Sequence, residues 1–127
     1  MCFFCDVQKE QSDRFILEQG KFFALWDGYP VTKGHALIIL KDHKESFFDL
    51  SEDEMKDAFV LLGKVKELIL EKYKPDAFNI GVNDGKAAGR TIDHLHIHLI
   101  PRYGGDVNNP KGGVRHVIPG KGDYTKA

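Results

Sequence analysis

Apolar and polar positions alternate most regularly along His94-Leu95-His96-Ile97-His98-Leu99-Ile100. Successive side chains of a strand point to opposite faces. The pattern therefore predicts a strand with His94, His96 and His98 on one face and Leu95, Ile97 and Leu99 on the other. A helix would scatter the same histidines in steps of about 200°. Ile97 and the Pro101 stop also agree with a strand.

The near-continuous apolar run Ala36-Leu37-Ile38-Ile39-Leu40 predicts a central strand, entered through Lys33-Gly34-His35. Phe15-Ile16-Leu17 and Phe22-Phe23-Ala24-Leu25-Trp26, with Glu18-Gln19-Gly20-Lys21 between them, predict a hairpin. Asp27-Gly28-Tyr29-Pro30 has turn chemistry, and Ala77-Phe78-Asn79-Ile80-Gly81-Val82 predicts a further strand. The period changes to 3.6 after Ser51. Ser51 and Glu54 have capping-box spacing. Met55, Ala58, Phe59, Leu62, Val65, Lys66 and Ile69 then form a stripe that must end before Pro75, with Leu61, Leu68 and Leu70 off it. A helical turn or two is expected between His43 and Asp49. Residues 1–12 read as an irregular lead-in. Residues 104–127, rich in glycine, leave little room for regular structure.

Composition narrows the class. With 127 residues, 42% of them hydrophobic, the chain is expected to form one domain with its own core. A formal net charge of −1 gives no bulk attraction to nucleic acid or to an anionic membrane, so any phosphate recognition must be local. No apolar run reaches the length of a membrane span, and Met1-Cys2-Phe3-Phe4-Cys5 lacks the basic start of a signal peptide. A cytoplasmic protein is expected, with neither nucleic acid nor membrane as partner. Cys2 and Cys5 are the only cysteines, and their spacing favours half of a zinc site over a disulfide.

Three imidazoles on one strand face offer two chemistries. They can ligate a metal, although the water-activating base of a His-Glu-x-x-His motif is absent. Or one neutral imidazole can attack phosphorus while its neighbours hold a phosphate oxygen or move a proton. The small-residue loop Asn83-Asp84-Gly85-Lys86-Ala87-Ala88-Gly89-Arg90-Thr91, placed directly before them, suits phosphate, because its glycines let backbone N–H groups approach closely.

Gly34-His35, then Asn83-Asp84-Gly85-x-x-Ala88-Gly89-x-Thr91-x-x-His94-x-His96-x-His98-x-x-Pro101-Arg102, closely resemble the histidine-triad family of nucleotide hydrolases and transferases. The match runs from about Phe15 to Tyr103. The tail Gly105-Asp106-Val107-x-Asn109-Pro110-x-Gly112-Gly113-Val114-Arg115 resembles a bacterial branch called diadenosine tetraphosphate hydrolase-like. The resemblance implies one histidine-triad domain over 1–127, with its core at about 15–103. The implied fold is α+β, an antiparallel sheet of about five strands with one long and one short helix, and the implied assembly is a homodimer.

The resemblance also implies roles. His96 takes a nucleoside monophosphate as nucleophile, its other ring nitrogen bonded to the His94 carbonyl. His98 holds a non-bridging phosphate oxygen, and His35 lies behind the triad. Thr91 and the backbone near Gly89 bind phosphate. Asp27 holds the ribose hydroxyls, while Phe15, Leu25 and Leu37 are candidates for the purine slot or for the core. Asn83 and Arg90 stand where dinucleoside-polyphosphate hydrolases of the family carry Gln. Some relatives bind structural zinc through residues matching Cys2, Cys5, His43 and His94. The implied substrate is a purine nucleotide, a dinucleoside polyphosphate ahead of an adenosine 5′-phosphoramidate. A nucleotide-binding protein with incidental turnover and a zinc hydrolase that uses the triad as ligands remain as other classes.

Overall fold

The computed structural model describes residues 2–126. Five strands form one antiparallel sheet: β1 (Glu18–Gln19), β2 (Phe22–Trp26), β3 (Ala36–Leu40), β4 (Ala77–Gly81) and β5 (His96–Arg102). Their order is β1-β2-β3-β5-β4, so β3 and β5 lie inside the sheet and β4 is an edge. All five residues of β3 are buried, as expected of a strand covered on both faces.

The long helix α2 (Glu52–Tyr73) covers one face, where Ala58, Leu61, Val65 and Ile69 meet Phe22, Ala24, Ala36, Ile38, Leu40, Leu95, Ile97 and Leu99. The capping box forms as predicted: Glu54 N–H donates to Ser51 Oγ at 3.1 Å, and Ser51 N–H donates to Glu54 Oε1 at 2.9 Å. The predicted stripe is rotated, however. Leu61 is fully buried, whereas Met55 and Phe59 are 38% and 77% exposed. Two apolar stripes one residue, or about 100°, apart run along this helix, and periodicity alone fits either. Ala58, Val65 and Ile69 are common to both, and the sheet takes Leu61 with them and leaves Met55 and Phe59 outside.

The other face is covered by a helix where an irregular lead-in was expected. Helix α1 (Phe3–Glu10) buries Phe4 and Val7 against Phe23, Leu25, Leu37 and Ile39. Eight residues are too few to be helical on propensity alone. Tertiary packing of the i, i+3 pair Phe4 and Val7 holds the helix, together with an unusual cap in which Cys2 Sγ accepts from Cys5 N–H at 3.5 Å. Gln8 Nε2 fastens the helix to the carbonyl of Lys41 at 2.9 Å.

The predicted hairpin exists with a shifted first strand. Ile16 N–H donates to Ala24 O at 2.8 Å and Ala24 N–H to Leu17 O at 2.9 Å. Two residues thus oppose one, a bulge that ends regular pairing beyond Glu18. The turn expected after His43 is one 3-10 turn at Phe47–Asp49. The tail has 3-10 turns at Gly113–Val117 and Tyr124–Lys126 and is otherwise irregular. It is nevertheless tied down. Arg102 pairs with Asp106 through Nε and Nη2 at 2.8 and 2.9 Å, and Tyr103 Oη donates to Lys33 O at 2.6 Å. No helix among the described residues is long and apolar enough to cross a membrane.

Candidate active site

The register of β3 against β5 sets Leu37 beside His98 and Ile39 beside His96. The histidines thus lie on the α1 face of the sheet, and Leu95, Ile97 and Leu99 on the α2 face. The predicted alternation holds, although regular pairing begins only at His96. Just before it, Leu95 N–H donates to Lys44 O at 2.8 Å, so the chain is anchored there outside the ladder.

Hydrogen bonds assign each imidazole of the triad one free nitrogen. His96 Nδ1–H donates to the His94 carbonyl at 2.8 Å, leaving the Nε2 lone pair open. Beside it, ring centroids 5.2 Å apart, His98 is held in the opposite tautomer. Val31 N–H donates to His35 Nδ1 at 3.2 Å, which makes Nε2 the proton-bearing nitrogen of His35. That Nε2–H points at His98 Nδ1, 2.9 Å away, with Asp27 Oδ2 at 3.3 Å as a weaker second acceptor. His98 must therefore carry its own proton on Nε2. Burial, reinforced by His96 and His35 and opposed by Asp27, lowers the His98 pKa to about 4. The ring is neutral at pH 7 and presents an N–H donor. Burial also lowers His35, with Asp27 opposing. Gly34 makes the buried place of His35 possible. Its φ is +88°, and a Cβ there would press on Tyr73, Ile69 and Pro101.

His94 serves another group. It is fully buried, and its Nε2–H donates to Leu40 O at 2.6 Å. Burial lowers its pKa, and the neighbouring His43 and His96 lower it further against the opposing Leu40 bond. The free Nδ1 lies 3.2 Å from Cys2 Sγ, 3.6 Å from Cys5 Sγ and 3.2 Å from His43 Nδ1. Cys5 Sγ and His43 Nδ1 are 3.5 Å apart. All four donor atoms lie within 4.8 Å of one another. Zinc–nitrogen and zinc–sulfur bonds of about 2.0 and 2.3 Å give a tetrahedron edges of about 3.3–3.8 Å. The donor set and its spacing fit such an ion. Burial and the adjacent Cys2 raise the Cys5 thiol, as two uncompensated sulfurs must.

A cleft of about 370 Å³ opens over His96 and His98. Asp27, His35, Asn83, Gly89 and Thr91 line it, as do Leu25 and Leu37. Asp27 Oδ1 accepts from Tyr29 N–H at 2.7 Å. Phe15 instead stacks on Phe23 at 4.3 Å. Arg90 does not reach the cleft. Its guanidinium is spent on Glu45 Oε1, the Glu45 carbonyl and Asp93 Oδ1, each at 3.1 Å. The loop also departs from expectation. The amides of Ala88, Gly89 and Arg90 bond inward to Lys86 and Gly85 carbonyls, and Gly89 closes the turn at φ +101°. Those three N–H groups are taken, while Thr91 remains on the lining of the cleft. Phe3, Phe4 and Arg14 line the cleft without having been singled out in the sequence. Phe4 packs on His96 with centroids 5.1 Å apart. The signal was the Phe3-Phe4 pair inside Cys2-x-x-Cys5, hidden by reading that segment as irregular.

Residues 8–105 match the HIT domain. An uncharacterised HIT-like protein of Methanocaldococcus jannaschii is 36% identical over 119 residues, 92% of either chain. A protein of Saccharomyces cerevisiae named adenosine 5′-monophosphoramidase is 34% identical over 80% of this chain and 62% of its own length. The crystal structure of a zinc-bound histidine triad family protein from Mycobacterium smegmatis superposes with a TM-score of 0.75 and 32% identity, covering 85% of this chain and 79% of that one. By the family match over residues 8–105 and by its sequence relatives, the chain belongs to the HIT domain family of nucleotide hydrolases and transferases.

Proposed function

We propose that this chain hydrolyses a purine dinucleoside polyphosphate at the α-phosphate through a nucleotidyl-histidine. The observation that supports this best is the pair of opposite tautomers on neighbouring histidines. The Nε2 lone pair of His96 attacks the α-phosphorus. The Nε2–P bond forms, the P–O bond to the nucleoside polyphosphate breaks, and the leaving group departs with the electron pair. Water then attacks phosphorus, the Nε2–P bond breaks and the nucleoside monophosphate is released. His98 Nε2–H, set by His35, donates to a non-bridging oxygen as its charge grows. Thr91 and the Gly89 segment border the phosphate, Asn83 lines its exit, and Asp27 accepts from the ribose hydroxyls.

One observation favours a second reading with the same histidines, in which the leaving group is an amine. The yeast relative is named for an adenosine phosphoramidate activity. Steady-state turnover of diadenosine tetraphosphate and of adenosine 5′-phosphoramidate tests both. The expected result is faster release of adenosine monophosphate from the tetraphosphate, with His96→Ala slowing it by about 10³-fold or more. A His96→Ala chain that keeps its rate, or a wild type without turnover that only binds nucleotide, contradicts the proposal.

A structural zinc on Cys2, Cys5, His43 and His94 belongs to the same proposal, supported by the tetrahedral spacing and by the zinc-bound relative. The ion supplies a cross-link between α1, the segment after β3 and the approach to β5. Elemental analysis is expected to find one zinc per wild-type chain and per His96→Ala chain, and far less in Cys5→Ser and His94→Ala. Chelation is expected to lower Tm. Equal loss of metal in His96→Ala and His94→Ala would identify the triad itself as the ligand set.

The partner we propose is a second copy. Phe48, Met55, Phe59, Leu62, Ile80 and Val82 line an outward groove of about 420 Å³ beside the edge strand β4. Phe48 and Phe59 are 82% and 77% exposed, an apolar face of the kind that pairs with itself about a two-fold axis. Sedimentation equilibrium is expected to give a dimer for wild type and a monomer for Phe59→Glu. A wild-type monomer at micromolar concentration refutes it.

A further inference from the structure

A second cavity, of about 530 Å³, lies on the same face of the sheet as the histidines. Its floor is Asn79, Ile100 and Arg102, and the tail forms its far wall with Val107, Pro110 and His116. Ile100 follows His98 on that face of β5, about 6.6 Å farther along. Val31 borders both this cavity and the catalytic cleft. Gly81 stands opposite His98, where cross-strand neighbours share a face, and no atom lies within 4 Å of the Cβ it lacks. Position 81 therefore puts no side chain beside His98 on this face.

We infer that this cavity, lined by Val31, Asn79, Ile100, Val107 and Pro110, is the subsite for the second nucleoside of a dinucleoside polyphosphate, so that the tail selects the leaving group. The inference rests on the proposed phosphate chemistry at His96. The chemistry of the walls identifies the occupant. Arg102 is the cation of the cavity, and its charge is committed to Asp106 through two bonds of 2.8 and 2.9 Å. A guanidinium so paired does not attract free phosphate. Arg102 Nη1 also donates to Asn79 Oδ1 at 2.7 Å, which fixes the amide so that Nδ2 faces the Gly113 side of the cavity. No protein partner among the described residues takes the Nδ2 hydrogens, and the amide is half-buried. One oriented N–H₂ donor beside the apolar Val31, Ile100, Val107 and Pro110 suits the ring nitrogen of a purine, an apolar plate with acceptors at its edge.

The construction of the tail agrees. A segment with little regular structure carries specific ties that do not serve the sheet. Asn109 Nδ2 donates to Asp123 Oδ2 at 2.8 Å, and Arg115 donates to the carbonyls of Gly122 and Lys121 at 3.1 Å. Gly112 (φ +92°) packs against Gly122 so closely that a Cβ would overlap its carbonyl. These contacts shape the wall that carries Pro110 and His116.

Calorimetric titration of the full-length His96→Ala chain with diadenosine tetraphosphate and with adenosine monophosphate tests the inference without depending on turnover. Two further substitutions are made in that background. Asn79→Asp keeps an acceptor for Arg102 and removes the donor, and Val107→Trp fills the cavity from its rim. The subsite predicts that each weakens diadenosine tetraphosphate about tenfold or more while the Kd of adenosine monophosphate, which reaches only the His96 cleft, holds within twofold. Unchanged tetraphosphate affinity in both variants overturns it. So does parallel weakening of both ligands, which marks a structural role, or a parent chain that binds the two equally. Hydrolysis of diadenosine tetraphosphate by wild type is scored separately. A tail-sensitive Kd without hydrolysis keeps the subsite and sinks the hydrolase reading, and hydrolysis with a tail-insensitive Kd does the reverse.

Discussion

The bond from His96 Nδ1–H to the carbonyl two residues back is the constraint on which the site depends. An imidazole can donate from one nitrogen and offer a lone pair from the other, and its neighbours decide which is which. Here the backbone occupies the inner nitrogen of His96, so its outer nitrogen carries the free lone pair. His98, one pleat along, receives the opposite assignment through Val31 and His35. His94, one pleat back, is turned by the Leu40 carbonyl toward two sulfurs and His43. Strand geometry supplies the common face, and two carbonyl acceptors and one N–H donor make three different reagents of one residue type.

The same arrangement joins fold to site. Helix α1 is short and stays in place through Phe4 and Val7 in the second core and through Cys2 and Cys5 at the cluster. Phe4 packs on both His94 and His96, at 5.6 and 5.1 Å. The group that fastens α1 thus also builds a wall of the cleft. Preorganisation of this kind matters because donors aimed in advance at developing charge cost no rearrangement during reaction. On the opposite face, α2 buries one apolar stripe and exposes the other, which gives the sheet its core while leaving Phe59 and its neighbours exposed.

Much of this was legible in the residues. Alternation placed the triad on one face, the Ser51–Glu54 spacing located the start of α2, and the Cys-x-x-Cys segment with His43 and His94 indicated the cluster that the structure assembles. What escaped depends on long-range contacts. The helicity of α1 comes from packing rather than propensity, and the rotation of α2, which buries Leu61 instead of Met55 and Phe59, is set by its packing on the sheet. Arg90 carried the right chemistry for a phosphate ligand, yet Glu45, distant in sequence, captures its guanidinium. The tail gave no periodicity to read, because side-chain bonds to other side chains and to backbone groups hold it rather than a repeating ladder.

The most direct test of the account is intact-mass spectrometry of the chain mixed with diadenosine tetraphosphate and quenched rapidly without acid, since a phosphoramidate is acid-labile. The account predicts a transient species heavier by one adenylyl group, formed before product appears, mapped to His96 and absent from His96→Ala. Turnover with no adduct at any time, in a chain whose His96→Ala form still releases adenosine monophosphate, would mean that water or another group attacks phosphorus directly, and the central claim would be wrong.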